Sequence, residues 1–219
     1  MSTIIPIAIA LAPALIALAK VAGTKGINWV IAILGGSGWF LALILRIPIL
    51  MAVPLPEVIY GYFASLMAGL FEETTRFLFL RIELVRSASI RRSIALGLGW
   101  GFIEALLIYA IPVSLAVYQY SWIDLLPGAL ERNSAILIHL SLTLLLSRNP
   151  WSFKLLTASI IIHSAANITA ITALYLLRNA WLVELVIAAF SALIFTTIAI
   201  PILRDLRSAV NKPVGERYG

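Results

Sequence analysis

Apolar runs of about 20 residues recur along this sequence, separated by short breaks that carry charges, prolines and glycines. A helix rises 1.5 Å per residue, so a run of that length crosses a hydrocarbon core of roughly 30 Å. The pattern predicts seven membrane-spanning helices, near residues 4–22, 28–50, 56–80, 93–118, 132–147, 154–177 and 181–203. No soluble domain fits between them. The first run, Ile4 to Ala22, lacks a basic segment ahead of it and is too long for a signal peptide, so it reads as a mature helix. The stretch from Gln119 to Leu130, with Trp122, Asp124, Pro127 and Gly128, predicts a short interfacial segment, the depth that Trp and Tyr prefer.

Composition sharpens this picture. Hydrophobic residues make up 62% of the chain and charged residues 12%, giving a mean hydropathy of +1.02. An ordinary soluble domain does not reach that value. The chain has no cysteine, which excludes disulfides and thiolate chemistry. Its net charge of +6 could suggest a nucleic-acid partner, but the charges are sorted by side. With seven spans, one set of loops collects Lys20, Lys25, Arg81, Arg86, Arg91, Arg92, Arg148, Lys154, Arg204, Arg207, Lys212 and Arg217. The other set holds Arg132 and Arg178. Basic loops stay in the cytoplasm, which accounts for the charge without nucleic acid. The expected molecule is all-α and polytopic in a cell membrane, with its N-terminus outside and its C-terminus cytoplasmic. It comprises one transmembrane domain over residues 1–203 and a short basic cytoplasmic tail over 204–219, with membrane lipids as its surroundings.

Ionisable groups inside a span are costly and by default point to function. Here they are Arg46, Glu72, Glu73, Arg76, Glu104, His139 and His163, with Asn167 as a neutral companion. Counted from the basic residue that ends each span, Glu72 is nine residues from Arg81, His139 nine from Arg148 and His163 nine from Lys154. Each therefore lies about 13 Å below the cytoplasmic boundary. Glu104 is twelve residues from Arg92, and Asn167 is one turn beyond His163 on the same face. Four helices thus bring polar groups to one layer.

In FEETTR, Arg76 is within reach of both Glu73, at three residues, and Glu72, at four. One carboxylate pairs with the arginine. The other is left in an apolar setting as a candidate general base. His139 and His163 could bind a divalent metal, zinc being the candidate, together with Glu72 or Glu104, since three protein ligands and an open position make a catalytic zinc site. They could equally hold a water and an oxyanion without metal. Glu131 and Arg132 read as a cap and anchor of the fifth helix, and Arg46 as snorkelling outward or pairing with Glu57 or Glu131. The small residues of GLGWG and of Gly35, Gly36, Ser37 and Gly38 read as sites of close helix packing.

Five segments in order carry a family resemblance: LRIPIL at 45–50, AGLFEETTRFLF at 68–79, GLGWGFIEA at 97–105, GALERNSAILIHLSLTLLL at 128–146 and HSAAN at 163–167. Together they resemble the YhfC-type membrane peptidases, within a wider group of PrsW-type proteases and CAAX prenyl endopeptidases. The resemblance implies one intramembrane hydrolytic site in which Glu72, Glu73, His139, His163 and Asn167 are catalytic, with Arg76 and Glu104 in support. It implies a glutamate that activates water, and histidines that hold a metal or the oxyanion, with His139, His163 and Glu104 as the metal set. The chain has EExxR in place of the EExxxR of CAAX endopeptidases, which argues against prenyl-protein substrates. It also has Trp100 where the resemblance leads one to expect histidine, so Glu104 is expected to make up the missing ligand.

The leading functional expectation is an intramembrane protease that cuts a membrane-protein or peptide substrate near the cytoplasmic side. The alternative is a non-catalytic scaffold or chaperone, like the seven-span scaffold subunit of γ-secretase. A transporter with a proton relay is disfavoured by the absence of an internal repeat and of paired broken helices.

Overall fold

A computed structural model describes residues 3–86, 90–116 and 120–211, with side chains of the last stretch described as far as Asp205. Among the described residues there are eight helices. They are α1 (Ile4–Ala22), α2 (Gly26–Ala52), α3 (Glu57–Phe79), a single turn α4 (Glu83–Arg86), α5 (Ile90–Leu115), α6 (Trp122–Ser147), α7 (Phe153–Leu177) and α8, which starts at Ala180 and runs to Asn211. Six are long and apolar enough to cross a membrane: α1, α2, α5, α6, α7 and α8. The remaining predicted span forms as α3, 23 residues long. Glu57, Glu72, Glu73 and Arg76 lower its hydropathy, yet the last three are buried, because other helices rather than lipid cover that face. The molecule is a polytopic helical membrane protein, and large apolar side chains such as Met51, Leu115 and Leu176 point outward from it.

Two boundaries differ from expectation. The fifth predicted helix was expected at 132 and begins at Trp122, so Trp122 to Leu130 of the segment read as interfacial is the first part of that helix. Pro127 is tolerated because it sits in the second turn, where it removes only one backbone hydrogen bond. The last helix continues past 203 through Ile200–Asn211, so the first part of the segment read as a tail is helical. The side chain of Arg207, together with Gln119 and residues 212–219, lies outside the described residues. Both α5 and α8 contain a wide π-helical turn, at Ala105–Ala110 and Phe195–Ala199, just before Pro112 and Pro201. A proline lacks the N–H that its i−4 carbonyl needs, and a π turn re-registers the ladder ahead of it.

Backbone contact sets the packing. An added Cβ on Gly35 would stand 2.2 Å from the Leu96 carbonyl oxygen, and one on Gly99 2.0 Å from that of Ala32. Here α2 and α5 touch through their main chains, as the small-residue runs predicted. On the other side, an added Cβ on Gly69 would stand 2.2 Å from Ser164 Oγ, which seats α3 against α7. Around these contacts α5 packs on α6, α1 covers α5 and α6, and α8 covers α6 and α7. Side-chain contacts tie the helices as well. Arg81 Nε donates to the Pro150 carbonyl at 2.9 Å, with its guanidinium 4.0 Å from the Phe77 ring centre and 4.5 Å from that of Trp151. Midway along α6, Asn133 Nδ2 donates to the Ile9 carbonyl of α1 at 3.0 Å. The helices therefore hold fixed heights, which an assembled polar layer requires.

Candidate active site

Successive helical residues point about 100° apart, and this separates Glu72 from Glu73. Glu72 turns toward α2 and α5. Its Oε1 accepts from Arg46 Nη1 at 2.6 Å and its Oε2 from Trp100 Nε1 at 3.2 Å. Glu73 is fully buried and turns toward Arg76 and α7. Its Oε1 accepts from Arg76 Nη1 and meets His163 Nδ1 at 2.7 Å, while Oε2 is buried without a hydrogen-bond partner. Each carboxylate has its own arginine. The expectation that one would be left unpaired is corrected, because Arg46 reaches inward from α2 to Glu72 rather than outward or to Glu57 or Glu131.

The second half of the cluster is built on α5 and α6. Arg76 Nη2 lies 2.7 Å from His139 Nδ1, and His139 Nε2 is hydrogen-bonded to Glu104 Oε2. A guanidinium only donates, so Nδ1 accepts and the ring proton sits on Nε2, directed at Glu104. Glu104 Oε1 in turn accepts from Arg132 Nη1 at 2.9 Å, and Arg132 Nη2 pairs with Glu131. Glu131 and Arg132 are therefore part of this network, ten residues inside α6, and do not cap its start. The two histidine rings meet edge to face with centroids 5.3 Å apart, and the Arg76 guanidinium lies 4.5 Å from the Trp100 ring centre.

A cavity of about 210 Å³ opens on this layer, lined among others by Glu72, Glu104, His139, His163, Arg132 and Asn167. Glu73 and Arg76 lie behind that wall. Donor atoms of Glu72, His139 and His163 come within 4.8 Å of one another, and all three residues are buried.

The family model described as YhfC intramembrane metalloprotease matches residues 7–124, more than half of the chain. The chain belongs to the YhfC family. It is 31% identical over 173 residues to the uncharacterized membrane protein YhfC of Bacillus subtilis (strain 168), a match covering 61% of this chain. That match spans 65% of the relative's own length. The stretch matched by the family model carries Glu72, Glu73, Arg76, Trp100 and Glu104, while His139 and His163 come from the part beyond it.

The family's description implies a metal, and the donor set can be tested for fit. Glu73 holds the Nδ1 proton of His163, which leaves the Nε2 lone pair free. That nitrogen faces Glu72 Oε2 at 4.0 Å. Two acceptors facing each other across a buried gap suit a shared cation, and a carboxylate behind a histidine is the usual support of a metal ligand. His139 would join the set on giving up one of its two present partners, Arg76 or Glu104. Two imidazoles and a carboxylate form the ligand set of a hydrolytic zinc site. The residues present fit a divalent metal.

All the residues singled out in the sequence stand at this layer. Glu104 backs His139, and the converging donors are Glu72 and the two histidines. Trp100 occupies the place where histidine was expected and supplies an N–H to Glu72. Sequence reasoning passed over Glu184, which is buried in α8 and accepts from Ser134 Oγ at 3.3 Å. A single carboxylate four residues into an otherwise apolar run was the available signal.

Proposed function

We propose that this protein hydrolyses a peptide bond of a membrane-protein or peptide substrate within the bilayer, in the half of the bundle nearer the basic loops. The observation that carries the reading is that Glu72, Glu104, His139 and His163, from four helices, line one cavity in an otherwise apolar bundle. Keeping two carboxylates and two histidines at one depth is expensive for a structure that only needs to pack. Glu72, His139 and His163 would hold a divalent metal, for which zinc is the candidate. When bound, it would supply a Lewis acid for the scissile carbonyl and a water of lowered pKa.

The chain's own residues do the rest. Glu104, the carboxylate on the cavity wall that is hydrogen-bonded to His139, takes the proton of the attacking water and returns it to the leaving amine. Asn167, one turn from His163 and on the same wall, offers its amide N–H to the developing oxyanion. Glu73 is a positioning residue that fixes the His163 tautomer. Arg46 and Trp100 fix the Glu72 carboxylate, and Arg132 fixes Glu104. A second depression, of about 340 Å³, shares Arg46, Ala68 and Asn167 with the site and continues along Gly61, Ala64 and Ser65 of α3. Its small residues leave room for an extended substrate segment.

The test is cleavage of single-span membrane peptides by protein reconstituted in lipid, run beside a measurement of bound metal. Wild type should cut and be stopped by chelator, Glu72→Gln should lose both metal and activity, and Glu104→Gln should keep the metal and lose activity. Chelator-resistant cleavage that Glu72→Gln abolishes would move the water-activating role to Glu72 and dismiss the metal. An uncut panel, with Glu72→Gln and Glu104→Gln unfolding more easily than wild type, would favour a scaffold instead.

A further inference from the structure

Hydrolysis consumes water, and a reaction layer walled by apolar helices receives it only along polar groups. We infer that water reaches the site from the end of the bundle remote from the basic loops, through a carboxylate-lined passage between α6, α7 and α8 with Glu184 at its mouth. The inference rests on the hydrolase reading above and names the route of its second substrate.

Two adjoining cavities define the passage. The site cavity extends from His139 and Glu104 to Glu131, Ala170 and Ile187. A second cavity, of about 270 Å³, is lined by the same last three residues and continues to Glu184, Val183 and Gly128. Ile187 and Glu184 are seven and four residues from the start of α8 at Ala180, so the passage climbs toward that end, about 6 Å above Glu184.

The side chains along it change role in order. Glu184 is only 7% exposed, and among the described residues no lysine or arginine is within ion-pair distance of it; its partner is the Ser134 hydroxyl. Glu131 follows, paired with Arg132, which reaches Glu104, which meets His139. A water molecule in an apolar bundle needs two to four polar partners, and along the second cavity the side chains that offer them are Glu184 and Glu131, between apolar walls that include Ile171 and Leu174. The hydrolysis does not use Glu184, and its one hydrogen bond across to α6, from the neutral Ser134 hydroxyl, does not require a carboxylate. A carboxylate so placed is costly in a membrane, and wetting one wall of a passage accounts for it.

The chain has no cysteine, so single cysteines report accessibility against a clean background. Ala135→Cys, Ala170→Cys and Ile187→Cys are placed along the passage, Leu142→Cys in the dry core and Leu185→Cys on the lipid face beside Glu184. The exposed Trp151 and Trp181, replaced by cysteine, mark the two membrane faces. Proteoliposomes are treated with a cationic, membrane-impermeant methanethiosulfonate on one side at a time. The passage cysteines should react about tenfold faster than Leu142→Cys and Leu185→Cys, and from the Trp181 side; that ratio is what loss of a polar partner for water costs in an apolar channel. Adding Glu184→Leu should slow reaction at Ala170→Cys by a similar factor, whereas Glu184→Gln should leave it unchanged. Passage cysteines no faster than the controls, reaction from the Trp151 side, or indifference to Glu184→Leu would overturn the passage. The measurement does not depend on proteolysis. A reactive passage in a protein that cuts nothing sinks the hydrolase reading alone, and a cutting protein with an unreactive passage sinks this inference alone.

Discussion

Two neighbouring glutamates with the same chemistry are given different work by a turn of about 100° along one helix. Glu73 faces Arg76 in a fully dry pair, and such a pair is worth little by itself, whereas removing one member strands the other. Glu73→Gln should therefore cost about 3–5 kcal/mol of folding stability by leaving the Arg76 guanidinium buried without its carboxylate. The double variant Glu73→Gln with Arg76→Met should recover much of that loss, read by thermal unfolding in detergent. Both should have lost most of their cleavage, since a neutral amide oxygen holds the His163 Nδ1–H less strongly than the carboxylate does. Trp100 makes a milder case. Trp100→Phe keeps most of the ring and deletes the N–H on Glu72, which should cost about 1–3 kcal/mol, the penalty of an acceptor left short of a donor. Trp100→His, which can restore a donor, should recover part of both stability and cleavage.

Helix-level features decide whether those side chains meet. The FEETTR spacing made an ion pair on α3 legible, since residues three and four apart share a face. It left open which glutamate Arg76 takes, because that depends on where α2 brings Arg46 and α7 brings His163. The small-residue runs were legible as packing surfaces, and α2 and α5 do meet along them. Gly99→Val should unfold at a markedly lower temperature than wild type, because a Cβ there falls on the main chain of Ala32, which cannot move aside. Gly26→Val, where nothing lies within 4 Å, should be close to neutral in the same melt. The start of α6 was hidden for a reason of the same kind: Pro127, Gly128 and Asp124 read as a break in isolation, and the helix persists through them because its neighbours hold it.

At the scale of the whole molecule, the sorting of basic residues by loop predicts orientation. A reporter that is active only in the cytoplasm should be active when fused after Gly219 and inactive when fused ahead of Met1. Replacing Arg81, Arg86, Arg91 and Arg92 with glutamine should mix the two orientations. An exported C-terminal reporter in the unchanged protein would reverse the assignment of sides.

The sequence by itself determined the solvent and most of the helices, because hydrophobic run length and the rise per residue are local properties. It also singled out Glu72, Glu73, Glu104, His139 and His163, since an ionisable group in an apolar run is conspicuous without any neighbour. Which of them touch was decided by tertiary structure alone. Arg46 turning inward to Glu72, Arg132 joining Glu104 to Glu131, Trp100 donating to Glu72 and Glu184 opening on a shared cavity are all contacts between residues at least 26 positions apart, apart from the Glu131–Arg132 pair. Such pairings depend on the rotation and height of whole helices against one another, and no spacing within a single run records them.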